Sequence, residues 1–423
     1  TREGRPDRGD PGGLVMPFYP EAVLEELQDH AEEIRTFTEA TESTVEQYRE
    51  AFRDLLETAE ADRLRTALGP DRYPGALPTA EFDTADSPIV AFEQSAGWEN
   101  HEAVNAYAKS VLEGVTTVAA DGSELGPTEE FTVPLGLVQV AWVANHHAPD
   151  GDYEDGVRTE LLGPETVTKA GDADGLRYPD PRRPGHERYR VEGETVVSAI
   201  ERFADRDPPP VIIYDGPLVP TFANTYAPEI RDTHYRDTMA RVLAASQSHG
   251  VPVVGYTAGS SRTNLAKMLR RADRDRLGDE PYVPDYRILE AFTDNWGDRS
   301  QVFVQRQDGT VDAMACTYQG EAYDFSTDVL FGYLATDGPE MDYLEFPGWV
   351  LREDRLESVL DVVRAEAGVG RGYPEILQQA DANAILDAEA RRRFLALVQD
   401  FAADAALPIE WNRKDLSKAR RRR

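Results

Sequence analysis

The stretch Thr116–Glu124, TTVAADGSE, constrains this chain more than any other. Its apolar residues read as a short buried strand that stops on an acid, Asp121, at a Gly-Ser turn. The same grammar returns at Val211–Leu218, VIIYDGPL, where the apolar run stops on Asp215. In an open α/β sheet, ligands bind beyond the carboxyl ends of the strands. Two carboxylates at neighbouring strand ends repel, and a divalent cation between them is the usual remedy. The plain alternative is that Asp-Gly is a common turn dipeptide.

The chain has 423 residues, 40% of them hydrophobic, which allows one large domain with extensions, or two domains. Its 78 acids against 45 Lys and Arg give a net charge of −33. The acids are spread among well-formed apolar segments, which argues against a repelled, disordered chain. The reading adopted is halophilic adaptation to molar internal salt, where screening shortens to about 3 Å and a hydrated acidic surface keeps the protein soluble. Net charge therefore says little about partners, because a nucleic-acid contact surface would be local. The single cysteine, Cys316, excludes an internal disulfide and a multi-Cys metal site. It reads as a small buried apolar residue and fits a reducing, cytoplasmic setting. No apolar stretch is long enough to span a membrane, and no signal peptide is read.

Residues 1–19 read as a disordered N-terminus, 20–87 as a helical extension and linker, 88–405 as one α/β domain with an insertion at about 146–186, and 406–423 as a basic tail. Helix periodicity covers Glu21 to Leu68, as a helical hairpin or one long amphipathic helix with a structural or dimerising role. Gly69 to Ser87, rich in Pro, Gly and Asp, reads as the linker. Further helices are expected at Glu99–Leu112, Glu187–Phe203, Ala227–Ser248, Asn264–Arg271 and Leu356–Glu366, with a last one from Pro374 to about Ala403. Strands are expected at Phe131–Asn145, Val251–Tyr256 and Tyr343–Val350, with a short one at Val157–Leu162 inside the insertion. Asp308-Gly309, between Gln301–Arg306 and Val311–Thr317, signals a hairpin. The order is mixed α/β, with strands first paired and then crossed over.

Two strand-end acids plus a helix acid are a constellation for two-metal phosphoryl transfer, in which metals about 3.5–4 Å apart orient a water and hold the leaving oxygen. The helix candidates are Glu192, Glu194 and Glu201. Glu194 is preferred because it follows Arg190 by four residues and precedes Val196 and Val197; a solvated helix acid is the alternative for each. His146-His147 either faces the site or is a satisfied pair. Gly259–Arg262, ahead of a helix, is either a phosphate loop or a plain turn. No Walker A motif is present, so no ATPase activity of its own is expected.

Thr117–Ser123 (TVAADGS), Ile213–Leu218 (IYDGPL), Val253–Tyr256 (VVGY) and Arg371–Pro374 (RGYP) resemble the successive motifs of the archaeal NurA nucleases, in matching order from Trp98 to about Phe401. The resemblance implies an RNase H-like mixed sheet flanked by helices, here with an N-terminal helical extension. It also implies a manganese-dependent nuclease acting on DNA ends, a homodimer, and partnership with the hexameric translocase HerA in double-strand-break end resection. Asp121 and Asp215 match the family's strand-end metal acids, Glu194 is taken for its helix glutamate, and Tyr373 matches its motif tyrosine. Eight residues after that tyrosine the family has a histidine, where this chain has Asp381. Asp381 suits Mn²⁺ or Mg²⁺ as a ligand but is a poorer proton shuttle near neutral pH than histidine. It borders the Leu377–Ala380–Ala384 stripe of the last helix and is expected to point toward Asp121 and Asp215. Two other readings stay open: a scaffold that dimerises and docks on a DNA translocase without cutting, and a carboxylate-pair hydrolase of sugars.

Overall fold

The computed structural model describes residues 19–69, 71–84, 87–98, 100–171 and 176–409. The expectations for the first 18 residues and for the tail from 410 lie outside the described residues. In chain order the elements begin with three helices, α1 (Pro20–Asp29), α2 (Ala31–Thr58) and α3 (Ala61–Leu68). Then come β1 (Gly75–Pro78), β2 (Ile89–Val90), α4 (His101–Leu112), β3 (Thr117–Leu125), β4 (Gly136–Asn145) and β5 (Tyr153–Leu162). After α5 (Pro164–Val167), β6 (Thr168–Ala170) and β7 (Arg177–Pro179), the long α6 (Arg183–Phe203) leads to β8 (Val211–Asp215). A short α7 (Pro228–Ile230) and a π-helical turn run into α8 (Asp237–His249), followed by β9 (Val253–Thr257), α9 (Asn264–Ala272), α10 (Arg274–Leu277) and α11 (Asp285–Leu289). The last part holds β10 (Arg299–Ser300), β11 (Phe303–Arg306), β12 (Ala315–Tyr318), β13 (Glu321–Asp324), β14 (Val329–Leu334) and β15 (Asp342–Pro347). Four helices close it: α12 (Trp349–Arg352), α13 (Leu356–Val369), α14 (Glu375–Ala384) and α15 (Ala388–Asp404).

One large sheet runs in the order β1-β11-β14-β15-β9-β8-β3-β4-β5. β3, β4 and β5 form an antiparallel meander, and β8 and β9 then add parallel to β3. The rest of the path from β9 to β1 is antiparallel. This is the mixed α/β, RNase H-like architecture the motifs imply. Strand alternation divides the core. Val118, Ala120, Ile212 and Tyr214 face α6 and α8, whereas Ala119, Ile213 and Val254 face Leu360, Ile376, Leu377 and Ala380 of α13 and α14. The N-terminal helices pack only in part. α1 buries nothing, and α2 buries residues from Thr44 onward, against α9, α10 and α11.

Several expectations change. β3 does not stop at Asp121, because Gly122 pairs with Val140 and the ladder runs on to Leu125 opposite Leu137. The stretch read as a linker carries β1, which pairs with β11 through Gly75↔Arg306 to Pro78↔Phe303. β5, expected only over Val157–Leu162, begins at Tyr153 and pairs along its length with β4 at the edge of the main sheet. Its hydrophobic signal is weak because alternate side chains are exposed at an edge. Asp308-Gly309 makes no hairpin. The Asp308 carboxylate accepts the Thr310 N–H at 2.8 Å in a local turn. The hairpin instead joins β12 to β13 over Gln319 and Gly320, both at positive φ. The last helix breaks after Ala384, and Asp387 caps α15 by accepting from the Glu389 and Ala390 amides. Cys316 is only half-buried, on β12.

Candidate active site

Asp121 and Asp215 extend the face that begins with Ala119 and Ile213. Thr117 pairs with Val211 in the parallel β3–β8 ladder, and each acid lies four residues further along its own strand. They are thus level with one another, beside α14. Protein packed around Asp121 pushes its carboxyl up to about 6; the Gly122 amide pulls the other way, and Asp215 and Asp381 push it higher. Desolvation also raises Asp215, offset by a hydrogen bond donated by Tyr373 and reinforced by Asp381. Three carboxylates therefore repel one another across one small region.

α14 brings the other two side chains. Its N-terminal amide at Ile376 donates to the buried Glu366 at 3.0 Å, and Glu366 also accepts from Thr117 at the start of β3 at 2.6 Å. Helix and strand are thus pinned to a common acid. Ile376, Leu377, Ala380 and Ala384 are buried, and Asp381, exposed, follows Ala380 at the edge of that stripe. Tyr373, just ahead of the helix, meets the Tyr256 ring edge-on at 5.5 Å. Tyr256 lies opposite Asp215 in the β8–β9 ladder, and its hydroxyl donates to Asp342.

Glu194 is not with these groups. It sits at the surface of α6, clasped by Arg190 at 2.6 Å and Arg158 at 2.7 Å, which hold its carboxyl below the usual range despite partial burial. Glu192 takes the inward position instead. It is buried and coupled to Asp121, and burial pushes it up to about 7 against the pull of Arg188. Arg188 donates to Glu192 at 2.5 Å and to the Gly122 carbonyl at 3.3 Å, and pairs with Glu124 at 2.8 Å. The sequence carried a signal for this. Tyr189, Glu192, Val196, Ala199 and Phe203 recur at three and four residues and all are buried, so Glu192 is on the inner stripe and Glu194 off it.

The other candidates fall elsewhere. His146 and His147 lie at the opening of β3, bonded to Thr116 and Glu154, and to Thr117 and Glu366. That is about 13 Å along the strand from Asp121 at roughly 3.3 Å per residue. The N-terminus of α9 is already filled, because the Leu265 and Ala266 amides both donate to buried Asp285 at 2.9 Å.

Among the described residues no three His, Cys, Asp or Glu side chains close into a metal-holding group. The chemistry of the donors is nonetheless that of a hard cation site. All are carboxylates, three of them, Asp121, Asp215 and Glu192, are pushed upward by burial and by neighbouring acids, and the Arg188 guanidinium pulls all three the other way.

The region thus sets two acids on neighbouring parallel strands of an RNase H-like sheet beside a tyrosine and two further carboxylates, Asp381 and Glu192. The NurA domain family model matches residues 115–385, from just before β3 to just after α14. The chain belongs to the NurA family, a family of nucleases in DNA end processing. No curated protein matches it. No helix among the described residues is long and apolar enough to cross a membrane.

Proposed function

We propose that this chain is a metal-dependent deoxyribonuclease acting in double-strand-break end resection, as a cytoplasmic homodimer beside a HerA-like hexameric ATPase. The observation that carries the reading is that Asp121 on β3 and Asp215 on β8 stand on neighbouring parallel strands packed against α14, the helix of Asp381, within a NurA domain. Asp121 and Asp215 would hold Mn²⁺ or Mg²⁺, with Glu192 and Asp381 flanking. Such a cation supplies charge neutralisation at the attacking and leaving oxygens of a phosphodiester. Tyr373 would steady the Asp215 carboxylate by donating to it. Arg188 balances Glu192 and Glu124, so that the buried acid beside Asp121 is held in one place.

The test is linear DNA with Mn²⁺ at high salt. Cutting that disappears in Asp215→Ala supports the enzyme. The second reading, a scaffold that docks on a translocase without cutting, is favoured by one observation: Asp381 stands where the family has histidine. No cutting by the parent chain, with partner binding retained, would establish it. A NurA domain lends no support to the sugar-hydrolase reading.

A further inference from the structure

We propose that α1 and the first half of α2 form a docking arm for a basic amphipathic helix of a partner protein. Val23, Leu27, His30, Ile34, Phe37, Thr41, Thr44, Tyr48, Ala51 and Leu55 recur at alternating steps of four and three. That is the seam of a helix meant to lie along another helix. From Thr44 to Leu55 the seam is used, with Tyr48 and Ala51 buried against the body of the protein. From Val23 to Phe37 the same seam is bare. Phe37 is 74% exposed, Leu27 53% and Ile34 48%, and they line a groove of about 500 Å³ with Val23, Glu26 and Glu33. The arm thus continues a packed seam into solvent.

Charge selects the occupant. Residues 19–43 hold eight acids and one arginine, against 78 acids and 45 cations in the whole chain. That arginine, Arg35, is already paired with Glu32 at 2.5 Å. Glu21, Glu25, Glu26, Asp29 and Glu39 have no cationic partner among the described residues. A second copy of the arm would set these acids against their equivalents, whereas a helix flanked by Lys and Arg would pair with Glu26 and Glu33 beside the seam. In molar salt only contact pairs survive screening, so the apolar seam carries affinity and the flanking cations fix register. The arm precedes the matched NurA domain, so this inference is independent of whether the chain cuts DNA.

The experiment uses the full chain and a labelled synthetic helix about four heptads long, with Leu and Ile on its seam and Lys beside it. A peptide of the same composition in scrambled order is the control. Fluorescence anisotropy should show binding of the first alone, still measurable at molar KCl. Leu27→Asp and Phe37→Asp should each weaken it about tenfold or more while leaving the melting temperature unchanged, because neither side chain is buried. Equal binding of both peptides, or parental binding by both variants, would overturn the proposal. So would light scattering that shows a doubled mass lost in Leu27→Asp, since the occupant would then be a second copy.

Discussion

A Cβ placed on Gly122 would stand 2.6 Å from Oε1 of Glu192 and 3.0 Å from Cγ of Arg188. The glycine after Asp121 is therefore a notch through which the α6 acid reaches the strand. Gly122→Ala should push Glu192 away from Asp121, lower DNA cleavage by about tenfold or more, and cost about 1–3 kcal/mol by overpacking. Glu192→Gln should reproduce the loss of activity, and Glu194→Gln should leave it near the parental value. Steady-state cleavage rates and thermal melts measure both effects. Full activity in Gly122→Ala would remove Glu192 from the site.

The raised acids make cation binding a proton-linked event. With Asp121 near 6 and Glu192 near 7, a cation has to displace protons below about pH 7, so Mn²⁺ affinity should rise from pH 5.5 to 7.5. Calorimetry in buffers of different ionisation enthalpy reads the released protons directly. The stability effect has the opposite sign. An acid whose folded value is raised stabilises the fold below its unfolded value near 4, and that contribution is lost as pH climbs through the folded value. In EDTA the melting temperature should therefore contain a component that falls between about pH 4 and 7. That component should shrink in an Asp121→Asn, Glu192→Gln double variant.

Tyr256 and Tyr373 make a separable pair. Tyr373→Phe deletes the hydrogen bond to Asp215 and should reduce kcat about tenfold to a hundredfold, since a bond to a charged acceptor is worth about 1.5–3 kcal/mol. Tyr256→Phe keeps the ring that Tyr373 leans on, and should retain most activity; Tyr256→Ala removes it, and should approach the Tyr373→Phe value. If Tyr256→Ala cut at the parental rate, the edge-on contact would be packing with no bearing on Asp215.

Asp381, on α14, repels both Asp121 and Asp215. In a working enzyme Asp381→Ala should weaken Mn²⁺ binding or slow cutting, and Asp381→His should preserve or raise the rate. An Asp381→Ala variant indistinguishable from the parent in both assays would take this residue out of the site.

Some of this was legible in the amino-acid order, for identifiable reasons. Asp215 ends a pure apolar run, and a buried parallel strand leaves that signature. Asp121-Gly122 reads as a turn in the sequence, whereas Gly122 lies mid-strand opposite Val140 and leaves room for Glu192. Adjacency to Val196 and Val197 points to Glu194, whereas the helical period of Tyr189, Glu192, Val196 and Ala199 points to Glu192. β1 was hidden because its partner, β11, is more than two hundred residues away, and an edge strand of four residues has no internal pattern to declare itself.

The β1–β11 pairing bears on how the chain is made. Gly75–Pro78 leaves the ribosome long before Phe303–Arg306, so the strand that closes this edge must wait for its seat. Until then the α2–α3 segment has only part of its apolar partner surface, since Leu265, Met268, Phe303 and Phe331 join it in one cluster. Loop closure over that span makes this the slow, late step of assembly. Once β11 is synthesised, an open edge beside Phe303 and Phe331 is a site for pairing with another nascent chain. A version beginning after Pro78 should therefore lose its yield to aggregation during synthesis, even with every acid of the β3–β8 region intact, and co-translational pelleting assays would register it.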